Sequence, residues 1–122
     1  MQARGIPWEI SALLSRAAGV IRSETGLSNA LRQLQALGRR GIAGDTAAST
    51  QEVVNALTVA EMVLRAALTR DESRGPHLRF AFEDDLEPIP SRPEWERYIV
   101  ISRAADGEMR LEPRVPRPLP FA

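Results

Sequence analysis

Of the nine prolines in this sequence, only Pro7 precedes Gly75; Pro76, Pro88, Pro90, Pro93, Pro113, Pro116, Pro118 and Pro120 all follow it. A proline inside a helix removes a backbone hydrogen bond and clashes with the preceding turn. Long helices are therefore confined to the part before Gly75, and that part carries the matching apolar period. Pro7 suits a first helical position, where its missing N–H costs nothing. Ile10, Leu13, Leu14, Ala17, Ala18 and Ile21 then recur at helical spacing, predicting a helix from Pro7 to about Arg22. A second helix is expected from Ser28, a suitable N-cap, through Leu31, Leu34 and Leu37, with Gly38 and Arg39-Arg40-Gly41 stopping it. Gly41 to Ala48 reads as a small-residue linker. Ser49-Thr50-Gln51-Glu52 has capping-box spacing and opens a third helix. Val53, Leu57, Ala60, Leu64, Ala67 and Leu68 carry its stripe to about Arg70.

The expected fold is mainly α. A three-helix bundle, spectrin-repeat-like, occupies residues 1–82, and an irregular, proline-rich segment occupies 83–122, the whole forming a single domain. Within the second segment, Tyr98-Ile99-Val100-Ile101 has the β-branched density of a strand. Asp106-Gly107 offers a turn before Met109-Arg110-Leu111, so a short β-hairpin is predicted over 97–111. The stretch from Pro113 to Pro120 should lie extended along a surface or be disordered. Glu83, Asp84, Asp85 and Glu87 read as a solvated loop, because they lack the spacing and glycine of a calcium-binding loop.

Composition narrows the functional classes. The formal net charge is zero, so no overall field draws the chain to nucleic acid or an anionic membrane. All basic residues are arginine and there is no cysteine, which removes disulfides, thiolate catalysis and Cys-ligated metal centres. No apolar run is long enough to span a bilayer, and none has the pattern of a signal peptide. The cytoplasm is the expected compartment. His77 is the single histidine, so a multi-histidine metal site is ruled out. Neither a dinucleotide-binding glycine fingerprint nor a phosphate-binding loop is present. His77 could be paired with Ser73 and Asp71 or Glu72 as a hydrolase triad, but residues crowded at a helix end rarely hold that geometry.

The densest polar chemistry lies in Arg70-Asp71-Glu72-Ser73-Arg74-Gly75-Pro76-His77-Leu78-Arg79. Its plain reading is a helix C-terminus, with Arg70 at the negative end of the dipole and Gly75 in the left-handed conformation that closes a helix. Arg74 and Arg79 add planar forks that pair with carboxylates or cap carbonyls. The segment is expected to be a polar knot joining this domain to another, with Arg74 facing water when the chain stands alone.

This segment resembles the flavoproteins of the succinate dehydrogenase, fumarate reductase and L-aspartate oxidase family. Their C-terminal helical domain carries Arg-x-Glu-Ser-Arg-Gly-x-His-x-Arg at the end of a long helix. The pattern is met at Arg70, Glu72, Ser73, Arg74, Gly75, His77 and Arg79. Ala18-Gly19-Val20-Ile21-Arg22 is similar to the end of the family's first helix, and Leu27 to Leu37 to its second, so the resemblance spans roughly residues 8 to 85. The chain departs from it at Ala81 and Glu83, where the family usually has Asp and often Pro, and at Glu96-Arg97 after Trp95, where Lys-His is common.

These departures turn the resemblance toward L-aspartate oxidase, which oxidises L-aspartate to iminoaspartate in NAD biosynthesis. The resemblance implies that FAD and the catalytic residues belong to preceding domains of a parent protein. No catalytic, cofactor-binding or metal residue is then assigned here, and the isolated chain should be inactive. Arg70, Glu72, Ser73, Arg74, His77 and Arg79 are assigned to an interface with the FAD-binding domain. One alternative is the same domain of a succinate dehydrogenase or fumarate reductase flavoprotein subunit, beside an iron–sulfur partner. The other is a free-standing helical interaction module.

Overall fold

A computed structural model describes residues 5–40 and 47–118, with side chains from 7 and from 48. Among the described residues three helices pack against one another: α1 (Gly5–Ala17), α2 (Glu24–Arg39) and α3 (Ala47–Thr69), and two short sheets accompany them. β1 (Arg22–Ser23) pairs in parallel with β2 (Arg79–Phe80), and β3 (Tyr98–Arg103) pairs antiparallel with β4 (Met109–Arg114). A 3-10 turn, Pro93–Trp95, precedes β3. The mainly α character is as expected, with more β-structure than the periodicity indicates.

The predicted stripes form the core, with corrections at their ends. Ile10 and Leu13 of α1, Leu27, Ala30, Leu34 and Leu37 of α2, and Ala60, Leu64 and Ala67 of α3 make one buried cluster. Leu14, Ala17 and Ala18 pack at its edge, but α1 stops at Ala17 and Ile21 is exposed. Beyond the helix the backbone folds back so closely that a Cβ on Gly19 would lie 2.6 Å from the Ser15 carbonyl oxygen. Arg22 therefore enters β1 instead of ending the helix.

Ser28 is not the N-cap of α2. That role falls to Ser23, in extended conformation (φ −130°, ψ 157°), whose Oγ accepts from the Gly26 N–H at 3.1 Å. Glu24 follows in the first turn, where a carboxylate meets the positive end of the dipole. An extra turn is thereby added, and it brings Leu27 and Ala30 into the core. At the other end Gly38 lies inside the helix, which runs on to Arg39.

Helix α3 begins at Ala47, so Ser49 sits within its first turn instead of capping it. Ala47 and Ala48 are strong helix formers and extend the helix backward. Of the linker expected over Gly41 to Ala48, residues 41–46 lie outside the described residues.

The hairpin forms where expected but is longer, reaching Arg114, with Gly107 at φ +89° in its turn. Pro113 is paired opposite Ile99, which a two-stranded ribbon tolerates because both strands are edges. The hairpin lies against α3, where Ile101 and Met109 face Thr58 and Met62.

The central position of Leu64, fully buried on α3, sets a test of this packing. Leu64→Ala should lower unfolding free energy by about 2 to 5 kcal/mol, whereas Val59→Ala on the exposed side of the same helix should change it by less than about 1 kcal/mol. Chemical denaturation of the two variants beside the parent sequence measures both.

Candidate functional site

The polar segment after α3 folds back on itself and gathers residues from distant parts of the chain. Arg74 and His77 exchange backbone hydrogen bonds of 2.8 and 3.0 Å around a tight turn. Gly75 takes its first central position at φ +58°, a left-handed conformation that favours glycine. The left-handed glycine is where the sequence indicated, but it closes this turn and not the helix. The end of α3 is capped instead by Arg79, whose Nη1 donates to the carbonyls of Ala67 (2.7 Å), Arg70 (3.2 Å) and Leu68 (3.3 Å). A cation on the last carbonyls of a helix offsets both the orphan acceptors and the negative end of the dipole.

Glu72 is the centre of the knot and has no solvent exposure. Its Oε1 accepts from Arg74 Nη2 at 2.9 Å and from the Arg92 backbone N–H at 3.0 Å; its Oε2 accepts from Arg70 Nη1 at 3.2 Å. Burial disfavours the carboxylate, but the Arg92 N–H and the guanidinium groups of Arg74 and Arg70 outweigh it and hold the pKa below its ordinary value. The same two arginines tie the downstream chain: Arg74 Nη2 donates to the Arg92 carbonyl at 2.9 Å, and Arg70 Nη1 to the Trp95 carbonyl at 3.0 Å. Arg70 also lies over the Trp95 ring, 4.7 Å from its centroid, within cation–π range. The Trp95 indole N–H donates to Asp71 at 2.9 Å, and Asp71 pairs with Arg92. Burial would raise the Asp71 pKa, but its hydrogen bonds from Arg92 and Trp95 bring it below the ordinary value.

Ser73 and His77 complete the arrangement. Ser73 Oγ accepts from the Arg79 N–H at 2.9 Å and faces the Arg79 carbonyl at 3.3 Å. Ser73 also joins the chain further on, through its N–H to the Ile89 carbonyl and its carbonyl to the Ser91 hydroxyl. His77 Nε2 lies 2.8 Å from the Arg70 carbonyl, and Nδ1 lies 2.9 Å from Arg22 Nη1. A carbonyl only accepts and a guanidinium only donates, so His77 is the neutral tautomer protonated at Nε2. Arg22 in turn holds the bend that follows α1, donating to the carbonyls of Ala18 (3.0 Å) and Gly19 (3.2 Å).

The six residues singled out in the sequence are thus brought together, and most of their polar atoms are used inside the chain. Glu72, Ser73 and Arg79 are buried; Arg70, Arg74 and His77 retain partial exposure. Arg74 is not turned out to water as expected but braces the buried Glu72. No hydrolase triad is assembled, because Ser73 is held by the Arg79 backbone and both His77 nitrogens are engaged elsewhere. Among the described residues no group of three or more acidic, histidine or cysteine side chains could hold a metal ion, and no helix is long and apolar enough to cross a membrane. Nor do they offer the strand, glycine-rich turn and helix in succession that cradle a dinucleotide pyrophosphate.

Sequence reading missed Arg22, the Arg92 backbone and the role of Trp95. Arg22 lies 55 residues from its histidine partner, and no local pattern reports such a contact. Arg92 joins partly through its backbone N–H and carbonyl, which carry no sequence signal, and partly through its side chain on Asp71, 21 residues away.

Residues 8–118 match the family model described as fumarate reductase flavoprotein C-term. An L-aspartate oxidase of Streptomyces coelicolor is 31% identical over 100 residues, which is 75% of this chain and 16% of that protein. A fumarate reductase (CoM/CoB) subunit of Methanothermobacter marburgensis is 40% identical over 57 residues, 47% of this chain and 9% of that protein. Among solved structures, a quinol-fumarate reductase with menaquinol molecules superposes at TM-score 0.69 and 26% identity, covering 95% of this chain and 22% of that one. The Sdh1 complex of Mycobacterium smegmatis in the apo form superposes at 0.62 and 27%, covering 90% and 20%. A quinol fumarate reductase of E. coli shares the fold at TM-score 0.67 and 24% identity, covering 94% and 21%.

The charge balance at Glu72 yields a prediction with a definite sign. A folded-state pKa below the unfolded one means that the unfolded chain binds more protons on acidification. The stabilisation is complete above about pH 4.5 and is lost as pH falls below it. Glu72→Ala should cost about 3 to 5 kcal/mol near neutrality, because it strands two guanidinium groups and a backbone N–H at a buried position. Unfolding curves at pH 7 and pH 3 should show that the variant's deficit shrinks in acid.

Proposed function

The chain belongs to the fumarate reductase flavoprotein C-terminal family, and from that membership we propose that it is the helical buttress of an FAD-dependent L-aspartate oxidase. It spans only 16% of the L-aspartate oxidase and 9% of the fumarate reductase chain that it matches. In this reading the remainder of the parent holds FAD and the catalytic groups and oxidises L-aspartate to iminoaspartate in NAD biosynthesis, in the cytoplasm. This chain supplies a rigid body packed on the FAD-binding domain and no reacting group.

The observation that carries the choice is the extent of the match. Sequence similarity to the Streptomyces L-aspartate oxidase runs over 100 residues, against 57 for the Methanothermobacter fumarate reductase subunit. A second reading, the same domain of a succinate dehydrogenase or fumarate reductase flavoprotein beside an iron–sulfur partner, is favoured by the higher identity of the shorter match. The two readings part on substrate. Under anaerobic conditions, L-aspartate should bleach the flavin of the purified parent while succinate leaves it oxidised; the reverse result would establish the second reading.

In this reading the docking surface includes apolar side chains that the isolated chain leaves exposed. Val20 and Ile21 precede β1, and Phe82 and Leu86 follow β2, so exposed apolar side chains flank both ends of the parallel pair beside the knot. Leu86 is 98% exposed, and an apolar surface left open by a small domain is suited to a neighbouring one. The partly exposed faces of Arg70, Arg74 and His77 would form the polar rim, with Glu72, Ser73 and Arg79 setting the interface from within. Leu86→Asp should leave the melting temperature of the isolated chain unchanged and weaken flavin retention in the parent. Equal effects in both, read by thermal melting and flavin absorbance, would remove this loop from the interface.

A further inference from the structure

We propose that His77 is an acid-sensitive latch joining the ends of α1 and α3, closed when the imidazole is neutral and released when it is protonated. The geometry is specific to one protonation state. On the α3 side, Nε2–H donates to the Arg70 carbonyl, which also receives Arg79 Nη1. On the α1 side, Nδ1 accepts from Arg22, the arginine that holds the Ala18 and Gly19 carbonyls. A proton on Nδ1 would set two donors and two cations face to face at a 2.9 Å separation, and neither group could rotate to repair the contact without giving up its other partner.

The surroundings reinforce the neutral state. Three cations bear on the imidazole: Arg22 from β1, Arg79 from β2 and Arg70 from the end of α3. Glu72, the buried carboxylate of the knot, is already held by Arg70 and Arg74. Ile99 of β3 and Val63 and Ala66 of α3 line the remaining side and contribute no charge. Partial burial, opposed by the Arg70 carbonyl and helped by the three cations, pushes the His77 pKa below its ordinary value.

The consequence reaches beyond the side chain. Arg22 is also where β1 joins β2, through its N–H to the Leu78 carbonyl. Losing the Arg22–His77 bond leaves the guanidinium held by the Ala18 and Gly19 carbonyls alone and loosens the tie between the α1 terminus and the motif. Ser23, the next residue, caps α2, so release at His77 is felt at the start of the second helix as well. The folded-state pKa lies below the unfolded one, so stability is complete above the ordinary histidine value of about 6.5 and declines as pH falls through it. Each pKa unit of separation removes about tenfold from the folding equilibrium constant in acid.

A single histidine makes the test clean. The imidazole of the intact chain is titrated by NMR between pH 7.5 and pH 5, above the range in which Glu72 and Asp71 protonate. Unfolding curves are recorded over the same window for the parent sequence and for His77→Gln, whose amide can accept from Arg22 and donate to Arg70 without titrating. The parent sequence should show a depressed imidazole pKa and a folding constant that falls with acidification, and His77→Gln should show a flat profile. A pKa at or above the ordinary value, or an identical pH dependence in His77→Gln, would overturn the latch. Should His77→Gln fail to fold, amide hydrogen exchange in the parent sequence decides. The Arg22 amide must lose protection relative to Leu64 on acidification, and unchanged relative protection would count against release.

Discussion

A carboxylate without solvent exposure holds this domain together at its least regular point. Glu72 sits just beyond α3, where a helix end must satisfy its own carbonyls, and the chain beyond it must be fixed without a helix of its own. Burying a carboxylate alone would cost several kcal/mol. Two guanidinium groups and a backbone N–H offset that cost, and each of them is attached to something else. Arg74 reaches the Arg92 carbonyl and Arg70 the Trp95 carbonyl, so the proline-bearing segment is drawn onto the end of the bundle by the atoms that neutralise Glu72.

From that centre the order spreads in both directions. Towards the N-terminus, the turn at Gly75 presents His77 to Arg22, and Arg79 returns to cap the helix from which the motif emerged. Towards the C-terminus, Trp95 stacks beneath Arg70 and anchors Asp71, which places β3 and its hairpin alongside α3. The seven motif positions are thus a set of mutually dependent contacts. Exchanging Arg74 for lysine, or Glu72 for glutamine, removes a fork or a charge that several partners share.

The helical core was legible because its signal is local and periodic. Leu34, Leu37, Ala60 and Leu64 recur at helical spacing and are buried accordingly. The helix ends were less legible, since two serines compete to start α2 and two alanines extend α3, and tertiary contacts decide between them. The polar cluster was visible as a density of arginine, glutamate and serine, but its direction was not. Side-chain types alone do not tell whether the Arg74 guanidinium turns outward to a neighbouring domain or inward to a buried carboxylate on the same turn of chain. Arg22, Arg92 and Trp95 enter through folding of distant segments, each of them partly through backbone atoms, and no spacing rule reports those.

The knot stands on the coupling between Glu72 and Arg74, and a double-mutant cycle reads it most directly. Unfolding free energies of Glu72→Ala, Arg74→Ala and the double variant, compared with the parent sequence, isolate the interaction from each residue's other contacts. The structure predicts a strongly non-additive result, with a coupling of about 1.5 to 3 kcal/mol. A coupling below about 0.5 kcal/mol, the value of an exposed surface pair, would contradict it and return the motif to a solvated shoulder of α3.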